Sequence, residues 1–551
     1  MGRDFHYSYE ADWRPYAFPE DESHLASEEE LEERYTAAVL EAGGVIPAAG
    51  LPILSDGKRV VMNTENEMNI VFGATGSKKS RLLAAPFACI CAQAGESMII
   101  SDVKGELSQG ALSAPVMGIL KEKEYNIRII SFRDFDCDGL NILLEPYLLY
   151  REGKRDEAMV ETHKIVSALA DTYHGADADP FWRETAAQYL MAIVILLYEC
   201  CDEPEKINML SLAAYAGESS CEDMQQVAGY IRYNNNIMTM LRNVLSEPEK
   251  TRMSTLATVN SFFSDFVINE KLLKMLSTST FDLAELYREK TALFLIMPDE
   301  TDAFSGIAGL ILSQISSFLV REAYRFGGSL PRRVNYICDE FANFCHIPNM
   351  AKNISAHRSR NIRWTLVCQS RKQLEMAYGK DAYTILANCT NLFFLSSPET
   401  ELLEELSARA GDTRETADGQ PRPLVSVAAL RGMKKGWEYT DMYFASGSTV
   451  CVSRLPDISL YGFVSQYTEP GRLEHRKLPK LTAYTSRQML ADIKSWRDAY
   501  EQEIRLHRRL DVRGRKAAER YRRLFNASHE ESGVWDGEQE MLELDGNYYL
   551  S

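Results

Sequence analysis

The stretch NIVFGATGSKKSRLL, residues 69–83, decides the fold. An apolar strand runs into a loop of the pattern GxxxxGK[ST], and a helix is predicted to follow. In loops of this kind, backbone N–H groups wrap phosphate oxygens, the lysine reaches the β- and γ-phosphates, and the hydroxyl holds magnesium. The predicted nucleotide ligands are Gly73, Ala74, Thr75, Gly76, Ser77, Lys78, Lys79, Ser80 and Arg81.

Lys78 stands at the sixth position of this pattern, where a glycine is usual. A lysine lacks the conformational freedom of glycine and is expected to strain the loop. Its positive charge, in contrast, favours phosphate. Taken alone, the loop therefore fits two interpretations, a nucleotide site and a basic surface turn.

Six further apolar runs predict strands, and several are apolar on both faces, as in a parallel sheet that is covered on both sides. They are SMIIS (97–101), IRIISF (127–132), TALFLIM (291–297), VNYIC (334–338), RWTLVC (363–368) and NLFFLS (391–396). Helical patterns between them imply right-handed crossovers. The sequence therefore predicts an α/β fold with a mostly parallel sheet.

A long helical stretch interrupts this sheet. Residues 150–288 have helical periodicity and few β-branched runs, which predicts an inserted all-α domain. Its longest apolar run, YLMAIVILLY (189–198), is about half the length needed to span a bilayer. The predicted organisation is an acidic segment 1–60 with a helix near Glu28 to Ala42, a discontinuous nucleotide-binding domain 61–149 and 289–480, the all-α domain 150–288, and a helical extension 481–551.

Polar residues follow two of the later strands, at the edge where parallel sheets bind ligands. Asp339 and Glu340 suit a carboxylate on magnesium and a neighbour that orients or deprotonates water. Gln369 suits a sensor of the γ-phosphate or of the attacking water. For Gln369 taken alone, a capped strand end is an equally good explanation.

A third polar stretch, SDVKGELS (101–108), follows the second strand. Asp102, Lys104 and Glu106 are candidates to face a nucleotide, a partner subunit or DNA. The alternative is a polar helix cap with Gly105 in a turn.

The distribution of charge and the cysteine content limit which kinds of partner and which cellular compartment fit the sequence. The net charge of the 551 residues is −18, but residues 1–36 contribute −8 and residues 529–551 contribute −7, so the body is near −3. The acidity belongs to the ends and does not exclude a nucleic-acid partner. Eleven cysteines without a CxxC pair, and no secretory signal, predict a reduced, cytosolic protein.

The C-terminal end has its own charge pattern. Residues 505–523 hold nine Lys/Arg against two acids, and the acidic tail follows them. The tail could fold back and compete with DNA, dock a basic protein, or be a solvated, disordered end. The sequence favours the last of these.

With these residues in place, the chain resembles the type IV secretion coupling proteins of the TraG/TraD class. These are RecA-like motors of conjugative DNA transfer, distantly related to the FtsK and HerA translocases. The resemblance spans roughly Val60 to Gly411 and keeps the order of the family's motifs. It is carried by GATGSKKSR, ESMIISDVKGEL, DPFWRETA, TALFLIMPDE, ICDEFANF, SAHRSRNIRWTLVCQS and ILANCTNLFFLSS.

The resemblance implies an ATP and Mg²⁺ site with an assigned role for each residue. Ser80 and Asp339 would hold the metal, Lys79 the phosphates, and Glu340 would be the catalytic carboxylate. Gln369 matches the family's sensor-like glutamine. In the HRSR stretch, Arg358 and Arg360 match the place from which ring motors present an arginine to a neighbouring subunit's nucleotide, and arginine suits that role because its planar fork matches phosphate oxygens. Pairing with a surface acid is the alternative, and it is favoured for one of the two.

The resemblance also implies partners. They are single-stranded DNA with a relaxase or relaxosome, or effector proteins, contacted through the all-α domain, and a type IV secretion channel. A homohexamer is expected. Many relatives carry an N-terminal membrane anchor that this sequence lacks, so it predicts a soluble version, cytoplasmic or at the cytoplasmic face of the membrane, recruited by a separate membrane subunit.

Two other functions stay open, the first of them because of Lys78 and of the soluble, acidic-ended architecture that the sequence predicts. One is a catalytically weakened, nucleotide-binding recruitment platform. The other is a coupling protein for effector secretion, which differs from a DNA motor in substrate and not in fold. Lys78 also leaves open whether the predicted ATPase turns over efficiently.

Overall fold

The computed structural model describes most of the chain. The described residues are 23–103, 105–171, 180–230, 236–298, 300–301, 303–413, 421–504 and 512–526. Several features singled out from the sequence lie outside them, namely residues 1–22 of the acidic N-terminal segment, Lys104, the first residue of the DPFWRETA motif (Asp179), the first part of the basic stretch and the acidic tail.

The strands fall into three sheets in the described residues. In chain order they are β1 (Thr36–Val39), β2 (Pro52–Ser55), β3 (Arg59–Met62), β4 (Asn69–Gly73), β5 (Ser97–Val103), β6 (Asn126–Ser131), β7 (Thr291–Met297), β8 (Val334–Cys338), β9 (Ile362–Cys368), β10 (Asn391–Ser396), β11 (Asp412–Thr413), β12 (Arg422–Pro423), β13 (Tyr439–Ser446) and β14 (Thr449–Pro456). The seven strands predicted from apolar runs are β4 to β10, and all seven are present. The hairpin β13–β14 was not predicted.

The main sheet has the order β14-β13-β10-β4-β9-β8-β5-β7-β6. From β10 to β6 every neighbouring pair is parallel, and the β13–β14 hairpin adds antiparallel strands at one edge. Strands β4, β7, β8 and β9 are buried along their whole length, because helices cover both faces. The predicted RecA-like α/β core is confirmed. In it, β9 lies between β4 and β8.

The helices fall into three groups along the chain. Those before β6 are α1 (Glu28–Arg34), α2 (Ala85–Ala94) and α3 (Ser113–Glu122). Those between β6 and β7 are α4 (Leu144–Arg151), α5 (Arg155–Asp171), α6 (Pro180–Cys200), α7 (Met209–Ala213), α8 (Glu218–Tyr230), α9 (Asn236–Leu245), α10 (Glu249–Phe262), α11 (Ser264–Ile268), α12 (Glu270–Met275) and α13 (Glu285–Arg288). Those after β7 are α14 (Ser305–Arg325), α15 (Phe341–Phe344), α16 (Met350–His357), α17 (Arg371–Tyr378), α18 (Asp381–Asn388), α19 (Thr400–Ala410), α20 (Val427–Arg431), α21 (Ser486–Ile504) and α22 (Val512–Asn526).

The inserted region is built around α6. Its apolar run is buried on all sides, and α5, α9 and α10 pack against it. The C-terminal helices α21 and α22 pack against each other, and α21 also packs on α8. Within the described ranges, no helix combines the length and the apolar character that crossing a membrane requires. All eleven cysteines are buried as small core residues, and none forms a disulfide.

The predicted helix near Glu28 to Ala42 is wrong beyond Arg34. A capping box starts α1, because Ser27 Oγ accepts from the Glu30 N–H and the Glu30 carboxylate accepts from the Ser27 N–H. The helix ends at Tyr35, whose backbone is extended, and Thr36–Val39 pairs antiparallel with β3. The pairing partner lies more than 20 residues away, so local periodicity could not reveal it. Strand β3 also spans the boundary predicted at residue 60.

A buried ion cluster fixes the N-terminal segment to the main sheet. Arg363, on β9, is 1% exposed and pairs with Glu96 at 3.2 Å. Its guanidinium also donates to Asn335 Oδ1 at 2.8 Å and to the Ala49 carbonyl at 2.8 Å. The Glu96 carboxylate in turn accepts from the Ala49 N–H at 3.0 Å. Burial lowers the pKa of Arg363, while the Glu96 charge opposes that shift.

Replacing Arg363 should therefore destabilise the protein strongly. In Arg363→Met the Glu96 carboxylate stays buried with only the longer ion pair to Arg333, at 3.4 Å, and breaking a buried pair costs about 3–5 kcal/mol. Urea denaturation followed by far-UV circular dichroism measures the loss. The matched control is Lys274→Ala, which removes a solvent-screened ion pair with Glu270 and should leave the free energy of unfolding almost unchanged. Equal effects of the two variants would contradict the role given to the cluster.

Candidate functional site

The predicted phosphate loop follows β4 at the carboxyl edge of the main sheet. The chain leaves Gly73, turns through residues 74–79, and enters a π-helical turn at Ser80–Ala84 that continues into α2. A Cβ on Gly73 would collide with the hydroxyl of Ser77 and the side chain of Lys79. Glycine is therefore required where the loop folds back on the end of the strand.

Lys78 adopts the backbone conformation that the missing glycine would adopt. Its φ is +67°, in the left-handed region, which costs a residue with a Cβ about 1–2 kcal/mol. The predicted strain is therefore present. The Lys78 ammonium offsets it by donating to the carbonyls of Gly436 at 3.1 Å and Trp437 at 2.8 Å, and it lies 3.7 Å from the Asp457 carboxylate. The loop keeps the turn that the glycine pattern specifies.

Lys79 points into the loop. Its side chain is buried, and the ammonium donates to the carbonyls of Gly73 at 2.6 Å and Ala74 at 3.4 Å. Burial lowers the pKa of Lys79, and the charges of Asp339 and Glu340 oppose that shift. Both hydrogen-bond partners are neutral carbonyls. An anion in the loop therefore makes a stronger, charge-assisted bond to this ammonium than its present partners do.

Ser80 and Asp339 meet directly. The Ser80 hydroxyl donates to Asp339 Oδ2 at 2.5 Å, and the Ser101 hydroxyl donates to the Asp339 carbonyl at 3.0 Å. Burial raises the pKa of Asp339, while the Ser80 hydrogen bond and the Lys79 charge lower it. A hydroxyl and a carboxylate beside a phosphate loop are the oxygen ligands that Mg²⁺ prefers. The donor set therefore fits Mg²⁺. Glu340 follows Asp339 in a left-handed conformation, with φ of +50°.

Gln369 also contacts the loop. It follows β9, which lies between β4 and β8, so its side chain stands between the loop and the Asp339 strand. Its amide oxygen accepts from the Thr75 hydroxyl at 3.0 Å and lies 3.5 Å from the Gln373 amide nitrogen. The sheet order thus brings Lys79, Ser80, Asp339 and Gln369 together.

Arg358 and Arg360 lie elsewhere. They form a 3₁₀ turn that precedes β9, so the seven residues of this strand, about 20 Å, separate them from the carboxyl edge. Arg358 has a 63% exposed side chain and pairs with Glu67 at 3.2 Å. Arg360 donates to the Tyr324 hydroxyl at 2.6 Å and lies over the Tyr324 ring. Neither arginine reaches the phosphate loop of its own chain.

Asp102 forms a polar cap. Its two carboxylate oxygens accept from the N–H groups of Leu107 at 3.0 Å and Ser108 at 2.8 Å, and Gly105 has a φ of +70° in the turn between them. Burial raises the pKa of Asp102 to about 6. Asp102 therefore caps a turn at residues 105–109 and not a helix, because α3 begins only at Ser113.

Sequence reasoning missed a residue that holds the loop from the opposite side. Asp457, after β14, binds the Arg81 guanidinium through two hydrogen bonds, of 2.7 Å and 2.6 Å. Burial opposes ionisation of Asp457, but the Arg81 hydrogen bonds lower its pKa to about 2. The two residues are 376 positions apart, so no spacing pattern links them.

Known proteins share this fold. The bacterial conjugative coupling protein TrwBdeltaN70 with sulphate matches with a TM-score of 0.53 and 17% identity, over 83% of this chain and 96% of that chain. The plasmid coupling protein TrwB with the ATP analogue ADPNP matches with a TM-score of 0.52 and 16% identity, over 84% and 97%. TrwB with ADP and Mg²⁺ matches with a TM-score of 0.51 and 16% identity, over 83% and 96%. No curated protein matches the sequence.

The family assignment comes from the sequence itself. The family model described as type IV secretory system conjugative DNA transfer matches residues 29–421, more than two thirds of the chain. The matched range contains the phosphate loop, Asp339, Glu340 and Gln369. The chain therefore belongs to the type IV secretory system conjugative DNA transfer family, the family of conjugative coupling proteins that its motifs predicted.

Proposed function

We propose that this chain is the ATP-driven motor of a conjugative type IV secretion system, which delivers single-stranded DNA with its attached relaxase to the transfer channel. The observation that carries the proposal is the Ser80–Asp339 hydrogen bond beside a phosphate loop that contains a buried lysine. A surface turn has no reason to bury an ammonium with only carbonyl partners. A nucleotide site has one, because phosphate replaces those partners.

Each residue at the carboxyl edge has a role in hydrolysis. Lys79 and the loop N–H groups bind the phosphates, and Ser80 and Asp339 hold Mg²⁺, which supplies charge neutralisation when bound. Glu340 orients or deprotonates the attacking water. Gln369, hydrogen-bonded to Thr75 at 3.0 Å, reports the γ-phosphate to β9. TrwB has been solved with ADPNP and with ADP and Mg²⁺, which supports the choice of ligands.

Partners and assembly follow from the family. The motor domain comprises residues 61–149 and 289–480, and the all-α domain 150–288 docks relaxase or relaxosome. In the extension 481–551, helix α21 packs on α8 of the all-α domain. The chain works as a homohexamer at the cytoplasmic face of the membrane, recruited by a membrane subunit. A body charge near −3 leaves room for a DNA channel within an acidic protein.

Hydrolysis and its dependence on Glu340 test the proposal. The purified full chain should hydrolyse ATP with Mg²⁺, and single-stranded DNA should accelerate turnover. In Glu340→Gln we expect kcat to fall about 100-fold or more with nucleotide binding retained, because the variant loses its general base. Lys79→Ala should lose nucleotide binding itself. A coupled assay and a binding titration on the same samples separate the two effects.

The matched control is Glu375→Gln, which changes a half-exposed acid on α17 that pairs with Arg371. It should hydrolyse ATP as the wild type does. If the wild type shows no hydrolysis at high protein concentration with DNA present, the motor proposal fails.

A second test concerns Arg358, which we assign to the nucleotide of a neighbouring subunit. Arg358→Ala and Lys79→Ala should each be inactive alone. A mixture of the two should recover activity, because a subunit with Lys79 intact can then sit beside one with Arg358 intact. Arg360→Ala is the control and should stay active, since Tyr324 and the Ala356 carbonyl hold Arg360 on its own chain. Full activity of Arg358→Ala would contradict the assignment.

A further inference from the structure

The segment Lys435–Glu438, between α20 and β13, lies against the outer side of the phosphate loop. The Lys78 ammonium donates to the carbonyls of Gly436 and Trp437. The Lys435 ammonium stands 3.5 Å from where a Cβ on Gly76 would lie, so it faces the loop at its sharp turn. Two side chains thus connect this segment to the loop from opposite directions.

The segment is held rigidly. The Gly436 N–H donates to the Tyr439 carbonyl at 2.9 Å, and Lys435 forms a β-bridge with Thr440. The Glu438 carbonyl accepts from the N–H of Asp457 at 2.7 Å. Since Asp457 also binds Arg81, the segment and the start of the loop helix share one anchor.

This rigid segment presents an exposed aromatic ring. The Trp437 side chain is 88% exposed and adjoins the loop beside the buried residues Ser77 and Lys79. The Lys78 ammonium lies 5.2 Å from the centroid of the ring and holds it in place. A large ring kept exposed and fixed at the rim of a polar site is suited to stack on a planar ligand.

The order of the sheet indicates which part of a nucleotide meets this ring. Gln369 and Asp339 lie on the β9 and β8 side of β4, where the γ-phosphate and metal belong under the proposed function. Strands β10, β13 and β14 lie on the other side of β4. A triphosphate that extends from the first side across the loop carries its nucleoside toward the second side, where Trp437 stands.

We propose that Lys435–Glu438 is the nucleoside wall of the site, in which Trp437 stacks on the base, Lys435 contacts a phosphate, and Lys78 anchors the wall to the loop. This inference rests on the proposed function, because it requires a nucleotide in the loop. It also gives Lys78 a purpose. A lysine at this position lacks the conformational freedom of glycine, but its ammonium binds the carbonyls of Gly436 and Trp437 and so connects the wall to the loop.

The experiment compares Mg²⁺·ADP with Mg²⁺·pyrophosphate, which has no base, by calorimetry on the full chain. For Trp437→Ala we expect ADP to bind about tenfold more weakly, the size of one lost stacking contact, while pyrophosphate is unaffected. Trp437→Phe keeps a ring and should stay within about twofold of the wild type. Lys435→Ala should weaken both ligands. Lys78→Gly should weaken ADP more than it weakens pyrophosphate, because it loses the anchor of the wall as well as a charge near the phosphates.

The matched control is Tyr383→Ala, which removes a 76% exposed aromatic ring on α18. It should bind both ligands as the wild type does. Intrinsic fluorescence gives a second readout, since ADP should change the Trp437 emission of the wild type and pyrophosphate should not.

The outcomes separate this inference from the proposed function. If the wild type binds neither ligand, the proposed function fails. If the wild type binds both through Lys79 and Trp437→Ala binds ADP equally well, the function stands and the nucleoside wall is overturned. Equal weakening of both ligands in Trp437→Ala, or a loss of assembly by light scattering without a change in ADP affinity, also overturns it. In those cases the ring supports the loop or a subunit contact. Unchanged ADP affinity in Lys78→Gly would contradict the claim that Lys78 anchors the wall to the loop.

Discussion

The hydrogen bond between Ser80 and Asp339 is the contact on which the rest of the site depends. It joins residues 259 positions apart, and it forms only because β4 and β8 run in the same direction with β9 between them. The ten helices between β6 and β7 that the structure describes are inserted where the chain leaves and re-enters the sheet at neighbouring strands, since β6 pairs with β7. The insertion therefore leaves the order β4-β9-β8, and with it the site, undisturbed.

The same geometry explains the balance of charge at the site. Asp339 and Lys79 are both buried, and burial disfavours the ionised form of each side chain. The two groups oppose each other's shift because each provides the charge that the other lacks. Asp339 is committed to the Ser80 hydroxyl and Lys79 to main-chain carbonyls, so neither is locked in a direct ion pair. An arrangement of this kind keeps both groups available to an anion and a cation that enter together.

How much the sequence revealed depended on whether the signal was local. Strands β4 to β10 are apolar on both faces, so their runs could be recognised without knowledge of their partners. Strands β13 and β14 were missed because they carry exposed charges, among them Arg454 paired with Asp441, and their pairing defines them more than their composition does. The helix predicted past Arg34 failed for the same reason, since β3 supplies the partner of Thr36–Val39.

The residues of the candidate site show the same difference between local signals, which could be predicted, and long-range contacts, which could not. Lys79, Ser80 and Asp339 belong to motifs that follow strands, and their places could be predicted. Asp457 and Trp437 contact the other side of the loop. Each lies more than 350 positions from its partner in the sequence, so no motif spacing could predict these contacts. Lys78 departs from the motif, and the structure explains the departure, because its side chain contacts Trp437 and Asp457.

Lys78 also bears on one alternative that the sequence left open, the catalytically weakened recruitment platform. A loop in decay would be expected to lose the left-handed corner when it loses the glycine, because nothing would offset the cost of that conformation. Here the corner is retained at φ +67°, and the lysine makes the contacts that offset the cost. The Ser80–Asp339 hydrogen bond and the burial of Lys79 are intact beside it. Lys78 was one of two arguments for a disarmed recruitment platform, the acidic ends of the chain being the other, and a lysine that preserves the geometry of the loop removes the first of them.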